Sequence, residues 1–287
     1  DRCDVTLAGL SAFEAAARGP VARDVDWRVL LVDDGSRDGT AEAVAARFPA
    51  VEILRGDGSL YWNGATRLAF ETARRRDPDF FLWLNDDTTL DPDGLDRLLA
   101  TWRDARDRCA GRVVVVGATR DPSTGLATYG GLVRVSRWDP LRFAVLPVSA
   151  EPVACSTFNG NCVLIPREVA ALVGTNDASF RHGLGDFDYG LRCAAAGCEL
   201  IVAPGTVGAC RRTRAPWRDP DLPVGRRWAA LLSDKGLPPR AWGRYARRHG
   251  GPLWPLFFLA PYLSLARSAP SRHSRDVEHA SVGDDGR

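Results

Sequence analysis

The 287-residue sequence has no methionine, only one lysine among its 38 basic residues, and four histidines. Its seven cysteines form no Cys-x-x-Cys pair, and no histidine follows them at zinc-finger spacing. This pattern indicates neither a structural zinc site nor a disulfide framework. Scattered free thiols are typical of a reducing compartment, so the sequence predicts a cytoplasmic protein.

No hydrophobic run is as long as the roughly 20 residues that cross a bilayer. The most apolar stretch, Leu253 to Ala266, is shorter and is interrupted by Pro255 and Pro261. Four basic residues flank it: Arg244, Arg247, Arg248 and Arg267. Segment 244–267 therefore predicts peripheral contact with the inner face of the plasma membrane, or alternatively a helix packed on a catalytic domain. No nucleic-acid recognition motif accompanies this basic segment, so we expect no nucleic-acid partner.

Charge and residue patterning divide the chain. Residues 1–210 carry 29 acidic and 23 basic side chains, whereas residues 211–287 carry 7 and 15. Strand patterns alternate with helix patterns over 1–210, which predicts an α/β domain with a mostly parallel sheet flanked by helices. Residues 211–270 are rich in Arg, Pro and Trp and predict a helical C-terminal appendage. Residues 271–287 predict a disordered tail.

Acidic residues follow two apolar strand patterns at the point where each ends. The strand predicted at 28–32 is followed by Asp33 and Asp34, and the strand predicted at 80–84 is followed by Asn85-Asp86-Asp87. Ligands of open α/β sheets bind at the carboxyl ends of the strands. Clustered carboxylates there favour Mg²⁺ or Mn²⁺, which are held together with substrate phosphates. The alternative is a pair of solvated turns whose acids cap the following helices.

A third acidic group, Asp186 and Asp188, lies at the start of a predicted helix. Asp186 is a candidate general base that takes a proton from an acceptor hydroxyl. The alternative is that Asp186 only caps the helix. Arg192, one turn beyond Asp188, is interpreted as an ion-pair partner in preference to a phosphate ligand.

In order and spacing, these segments resemble the inverting, GT-A type glycosyltransferases of family 2, especially the bacterial rhamnosyltransferase-like branch. The resemblance covers about residues 1–210 and is carried by Val32 to Ser36, Asp38 to Thr40, Gly58 to Arg67, Leu84 to Thr88, Asn159 to Asn161, Gly185 to Asp188, Leu191, Arg192 and Gly197. The segment from Gly236 to Tyr262 resembles the C-terminal part of that branch. The resemblance implies a nucleotide-sugar donor, a glycan or lipid-linked acceptor, and a role in cell wall or polysaccharide biosynthesis.

The resemblance also assigns roles. Asp87 takes the metal position and would hold Mg²⁺ or Mn²⁺, Asp186 is the catalytic base, and Asp188 is the second candidate base. The residues assigned to donor binding are Asp33, Asp34, Gly58, Trp62, Asn63, Arg67, Asn85 and Asp86. The chain departs from the family pattern where Asn85 and Gly185 replace acids, and where Ala209-Cys210 stands in place of a metal-binding histidine.

In this family a first strand precedes the first helix and ends in a Thr-Tyr-Asn-Arg-like turn, of which only Asp1-Arg2 corresponds to residues of this sequence. The resemblance therefore implies a strand upstream of Asp1, and we expect an extension by about ten residues to improve donor binding.

Two alternative functions stay open. One is nucleotidyl transfer on a related sheet, and the other is a catalytically inactive nucleotide- or carbohydrate-binding protein. A dinucleotide-binding oxidoreductase is excluded because no Gly-x-Gly-x-x-Gly follows a strand.

Overall fold

The computed structural model describes residues 1–213 and 215–268. The chain divides into two compact units, Asp1–Arg212 and Thr213–Arg287. The tail predicted at 271–287 lies outside the described residues, as does the end of the appendage predicted at 211–270.

The first unit is an α/β structure, as predicted. Its helices are α1 Cys3–Ala16, α2 Thr40–Arg47, α3 Tyr61–Arg74, α4 Gly94–Arg106, α5 Arg167–Val173 and α6 Gly185–Ala195. Its strands are β1 Leu30–Asp33, β2 Glu52–Arg55, β3 Phe80–Leu84, β4 Thr89–Leu90, β5 Val113–Val116, β6 Thr119–Arg120, β7 Ala127–Tyr129, β8 Gly131–Arg134, β9 Phe143–Val145, β10 Val153–Ala154, β11 Thr157–Phe158, β12 Cys162–Pro166, β13 Glu199–Val202 and β14 Gly208–Ala209.

A five-stranded sheet in the order β10-β13-β5-β12-β3 forms the centre of this unit. This sheet is not parallel throughout. β13 runs parallel to β5, but β12 is antiparallel to both β5 and β3, and β10 is antiparallel to β13. The chain leaves β5 at the carboxyl edge, forms the excursion β6 to β11, and re-enters at Cys162 beside Gly117 at that same edge. Returning without a crossover helix forces the antiparallel direction.

The strands β1 and β2 form a separate parallel pair, from Leu30 opposite Glu52 to Asp33 opposite Arg55. Within the part of the chain that the structure describes, β1 has no second partner, and β3 is the last strand of the five-stranded sheet. The strand expected upstream of Asp1 stays a prediction.

Two apolar clusters cover the faces of the five-stranded sheet. All four valines of β5 are fully buried, and they alternate between the clusters because successive strand side chains point to opposite faces. One cluster contains Phe70, Trp83 and Tyr189, and the other contains leucines of α4. The packing fixes the sheet's carboxyl edge, where the Asn85 amide donates to the Asn161 carbonyl at 3.0 Å.

The second unit is helical. Its helices are α7 Val224–Leu232, α8 Pro239–His249 and α9 Trp254–Ala266, with single 3₁₀ turns at Pro216–Arg218 and Gly251–Leu253. Leu231 and Leu265 are buried between them. Among residues 1–213 and 215–268, every helix is too short or too polar to cross a membrane.

Candidate active site

Asp33 is the last residue of β1, and Asp34 follows it. Both carboxylates accept hydrogen bonds from neighbouring groups. Asp33 is buried, its Oδ2 lies 2.6 Å from Arg55 Nη1, and its Oδ1 accepts the Ser36 amide at 3.0 Å. Burial alone would raise the pKa of Asp33, but hydrogen bonds from Ser36 and the charge of Arg55 hold it below its usual value. Asp33 is therefore ionised at neutral pH.

Asp34 organises the loop that leads into α3. Its Oδ1 accepts the Gly58 amide at 2.8 Å, and its Oδ2 accepts the amides of Leu60 and Tyr61 at 2.9 and 3.0 Å. Gly58 has φ +85°, a conformation that favours glycine. The carboxylate thus satisfies donors at the start of α3 and brings Asp34 and Gly58 together, as the donor-site prediction requires.

The α3 residues predicted to bind donor are placed differently from one another. Trp62 Nε1 donates to Asn85 Oδ1 at 2.6 Å, which joins α3 to the loop after β3. Asn63 is fully buried, and its Nδ2 donates to the carbonyls of Asp177 and Phe180. This placement corrects the prediction for Asn63, because a buried amide committed to a loop positions that loop and cannot reach a donor. Arg67 pairs with Glu71, one turn along α3, at 2.7 Å.

The acids after β3 contact an arginine from the start of the chain. Arg2 Nη2 lies 2.6 Å from Asp86 Oδ1, and Arg2 Nη1 lies 3.0 Å from Asp87 Oδ2. Burial raises the pKa of Asp86; the nearby charge of Arg2 opposes that rise and the charge of Asp87 adds to it. Thr6 donates to the second Asp86 oxygen at 3.3 Å. No local pattern in the sequence predicts the Arg2 contacts. The only indication is the resemblance, which assigns Asp1-Arg2 to the turn after the family's first strand.

Cys210 lies where the resemblance places a histidine. Its Sγ is 3.6 Å from Asp87 Oδ1 and accepts the Asn161 side-chain amide at 3.5 Å. Burial and the adjacent Asp87 raise the pKa of the Cys210 thiol to about 12, so the sulfur is neutral at physiological pH. A neutral thiol is a poor ligand for a hard cation.

Few side chains are therefore available as ligands for a divalent cation. Within the described residues, no three His, Cys, Asp or Glu side chains cluster closely enough to form a metal site by themselves. Asp87 nevertheless keeps 38% of its side chain exposed. One carboxylate fits Mg²⁺ or Mn²⁺ when the substrate's phosphates supply further ligands, which is how such sites are commonly built.

Asp186 lies in the first turn of α6. Its Oδ2 accepts the Gly160 amide at 3.0 Å and its Oδ1 accepts the Phe187 amide at 2.9 Å. A Cβ added to Gly160 would collide with the Trp62 ring and lie 3.3 Å from Asp186 Cβ, so Gly160 lies close to both residues. Burial raises the pKa of Asp186 to about 6, above its ordinary value and despite these hydrogen bonds. A carboxylate with such a pKa is suited to general base catalysis near neutral pH.

Asp188 is placed in the interior. Its side chain has no exposed surface, and Arg192 Nε donates to its Oδ2 at 2.9 Å. Arg192 also donates to the carbonyls of Val173 and Thr175 at 2.9 and 2.8 Å. This geometry corrects the prediction of Asp188 as a second base, because the carboxylate cannot reach an acceptor without losing its ion pair. Arg192 is a structural partner, as interpreted from the sequence.

Replacing Arg192 with Met should lower the free energy of unfolding by about 3–5 kcal/mol, since it removes the ion pair of a buried carboxylate. Urea unfolding followed by circular dichroism measures this loss. Arg18→Met is the matched control, because Arg18 and Glu14 form an exposed pair with the same helical spacing. The control should lose less than about 1 kcal/mol. Equal losses in the two variants would contradict the role given to Arg192.

Comparison with known proteins identifies the family of this chain. The model of the family described as "Glycosyl transferase family 2" matches residues 12–170, more than half of the chain. The chain belongs to glycosyltransferase family 2. It is therefore a glycosyltransferase, and the match covers the loops that carry Asp33, Asp87 and Gly160.

A curated relative supports the same family. This glycosyltransferase is 25% identical over 236 residues to the N-acetylglucosaminyl-diphospho-decaprenol L-rhamnosyltransferase of two Mycobacterium tuberculosis strains, CDC 1551 / Oshkosh and H37Rv. The alignment covers 74% of this chain and 73% of the relative.

Solved structures show that the fold is GT-A. GalNAc-T7 with UDP, GalNAc and Mn²⁺ aligns with a TM-score of 0.53 and 14% identity, over 69% of this chain and 40% of that one. The chain thus spans less than half of GalNAc-T7. Mannosyltransferase PcManGT from Pyrobaculum calidifontis, in complex with GDP-Man and Mn²⁺, aligns with a TM-score of 0.50 and 18% identity, over 92% of this chain and 67% of that one.

Proposed function

We propose that this glycosyltransferase moves a sugar from a nucleotide-sugar donor to a hydroxyl of a glycan or lipid-linked acceptor, with inversion at the anomeric carbon. The observation that carries the proposal is the placement of Asp186. Asp186 is a half-buried residue, its pKa is raised to about 6, and its carboxylate accepts the Gly160 amide. The next residue of that loop, Asn161, contacts Cys210 beside Asp87. A base and a cation-binding carboxylate thus belong to one connected site.

In the proposed reaction, Asp186 accepts the proton of the acceptor hydroxyl while the hydroxyl oxygen attacks the anomeric carbon. A bond forms between that oxygen and the carbon, and the bond to the diphosphate oxygen breaks, with its electron pair leaving on the nucleoside diphosphate. Attack from the face opposite the leaving group inverts the configuration. Asp87 would hold Mg²⁺ or Mn²⁺, which when bound offsets the charge on the diphosphate.

The remaining residues bind and orient the donor. Asp33 stays ionised and contributes to the nucleobase and ribose pocket, where Asp34 fixes the Gly58 turn. Trp62 holds the side chain of Asn85 with its Nε1 hydrogen bond, and Asp86 lies beside it. Arg67, which pairs with Glu71, is a further proposed donor contact.

The acceptor and the donor sugar are proposed from the relative. Its name states transfer of L-rhamnose to a diphospho-decaprenol-linked N-acetylglucosamine. We therefore propose a nucleotide-activated L-rhamnose donor, a polyprenyl-diphosphate-linked acceptor, and a role in cell wall biosynthesis. A lipid-linked acceptor places the enzyme at the inner face of the plasma membrane, with peripheral contact through 244–267.

A panel of nucleotide sugars tests the proposal. Purified protein with Mn²⁺ is incubated with each donor, with and without a lipid-linked acceptor, and released nucleoside diphosphate is measured. We expect release from one donor that increases with acceptor. In a parallel incubation with nucleoside triphosphates and sugar 1-phosphates, formation of a nucleotide sugar with release of pyrophosphate would instead indicate nucleotidyl transfer. Nucleotide binding without turnover in either incubation would indicate an inactive binding protein.

The pH dependence of the reaction follows from Asp186. Because the base must be ionised, kcat/KM should fall about tenfold per pH unit as the pH drops below the pKa of about 6. An unshifted carboxyl would place this fall near about pH 4. A profile measured at fixed, saturating Mn²⁺ checks this. A fall that begins only near pH 4 would contradict the assignment of Asp186.

A further inference from the structure

A groove of about 770 Å³ lies between α8 and α9 in the second unit. One wall carries three arginines, Arg244, Arg247 and Arg248. The other wall carries apolar side chains, among them Trp254, Phe258 and Leu259. All three arginines are exposed. Guanidinium groups bind phosphate oxygens in a bidentate manner, so the groove combines an anion-binding wall with an apolar wall.

One side of α9 is fixed within this unit. Tyr262 donates its hydroxyl to the Leu237 carbonyl at 2.6 Å, and Trp242 Nε1 donates to the Phe258 carbonyl at 3.0 Å. Leu265 is only 3% exposed. These contacts orient the helix and determine which of its side chains face outward.

The outward side of α9 and the turn before it is a row of exposed leucines. Leu253, Leu256, Leu259 and Leu263 are 57%, 62%, 46% and 48% exposed. Their spacing of three and four residues places them along one side of a helix. Leu259 also lines the groove, so the leucine row and the arginines adjoin.

The sequence that forms α8 and α9 carries charge of a single sign. From Lys235 to Ser268 the sequence contains no Asp or Glu, and it contains six basic residues: Lys235, Arg240, Arg244, Arg247, Arg248 and Arg267. A surface of this kind is complementary to a strongly anionic partner. Because the leucine row is exposed and apolar, the partner should also contain an apolar region that can bury these side chains.

We propose that the α8–α9 groove binds the phosphate headgroup of an anionic phospholipid, with the leucine row inserted at the boundary between headgroups and acyl chains. At 13 residues, α9 is about 20 Å long, against about 30 Å for the hydrocarbon core of a bilayer. The helix therefore lies in the plane of the interface. The proposal deepens the proposed function only by fixing how the enzyme meets the membrane of its acceptor.

Charge argues against a second copy of this chain as the occupant. A twofold dimer through this face would bring the same patch of both copies together. The three arginines of each copy would then approach those of the other, and like charges across an interface disfavour the contact. A bilayer containing anionic lipid meets both halves of the surface without this repulsion.

Vesicle sedimentation of the full chain, without donor or acceptor, tests the site. The vesicles are phosphatidylcholine alone or phosphatidylcholine mixed with phosphatidylglycerol. We expect binding only to the anionic vesicles, weakened by salt. The Arg244→Gln/Arg247→Gln/Arg248→Gln variant should lose about tenfold or more of its partition coefficient. Leu256→Ser/Leu259→Ser should lose a similar factor, of about tenfold or more.

The control variants make the same chemical changes on exposed positions of the first unit. Arg75→Gln/Arg103→Gln/Arg108→Gln and Leu126→Ser/Leu172→Ser should bind as the unmodified chain does. Circular dichroism verifies that every variant is folded. The proposal is wrong if the unmodified chain does not sediment with anionic vesicles, or if control and groove variants behave alike. It is also wrong if the leucine change instead abolishes concentration-dependent self-association.

The two proposals fail separately. Vesicle binding without donor turnover would contradict the sugar-transfer proposal and leave the lipid site standing. Donor turnover on a soluble acceptor without vesicle binding would contradict the lipid site and leave the sugar-transfer proposal standing.

Discussion

Asp186→Asn should reduce sugar transfer by about a hundredfold or more, because it removes the proton acceptor and keeps the shape of the side chain. Donor affinity should stay within a factor of about two, since Asp186 contacts the Gly160 and Phe187 amides and is proposed to act on the acceptor. The measurement is kcat with the best donor, paired with titration of the matching nucleoside diphosphate. The expected result is loss of kcat with binding retained.

The stability of this variant needs to be measured as well. Asp186 accepts one amide on each carboxylate oxygen, whereas asparagine has one accepting oxygen. One backbone amide loses its partner, which costs about 1–3 kcal/mol. Asp104→Asn, on an exposed face of α4, is the matched control and should keep full activity. Near-normal turnover of a folded Asp186→Asn protein would show that another group is the base.

Asp87→Ala should abolish most of the gain in nucleoside diphosphate affinity that Mn²⁺ provides. The cation would be bound jointly by Asp87 and the diphosphate, so removing the carboxylate weakens both partners together. We expect a loss of about tenfold or more in donor affinity with Mn²⁺ present, and a much smaller change in its absence. Calorimetric titration with and without Mn²⁺ measures the two affinities.

The same change alters local charge, which must be separated from metal binding. Removing Asp87 leaves Arg2 paired with Asp86 alone and raises the positive potential near the phosphates. That effect would strengthen metal-free nucleotide binding, the opposite of the change expected with Mn²⁺. Asp104→Ala serves as the control for calorimetry. An unchanged Mn²⁺ dependence in Asp87→Ala would remove Asp87 from the metal site.

The sequence was sufficient for the parts of the fold that depend on local patterns. The apolar run at 80–84 was predicted as a strand, and it is β3, with the bounds Phe80–Leu84. The strand predicted at 28–32 is present as β1, with the bounds Leu30–Asp33. These patterns depend on side-chain polarity within a few residues, which the sequence displays directly.

Features that depend on distant pairing were not predictable in the same way. The direction of β12 depends on where the excursion after β5 returns, and no local pattern encodes that return. The interior position of Asn63 depends on the loop at 176–180, more than a hundred residues along the chain. Both Asp186 and Asp188 were candidate bases from the sequence, and only their positions on the packed helix α6 leave Asp186 half-buried and Asp188 fully buried.

The candidate site itself depended on the family resemblance. The positions of the strand ends predicted that acidic residues lie together at one edge of the sheet. The contacts of Arg2 with Asp86 and Asp87, however, join residues more than eighty positions apart, which no local pattern predicts. The position of Cys210 beside Asp87 was expected only as the place of a missing histidine. The environment of the Cys210 thiol, which makes it neutral, required the packed structure.

The anomeric configuration of the transferred sugar tests the central claim most directly. The product formed from a nucleotide sugar of known configuration is analysed by NMR before it can equilibrate. With Asp186 as the only base and direct attack by the acceptor, the account predicts complete inversion. Retention of the donor's configuration would contradict it, because retention requires a second displacement or a different attack geometry from the one proposed.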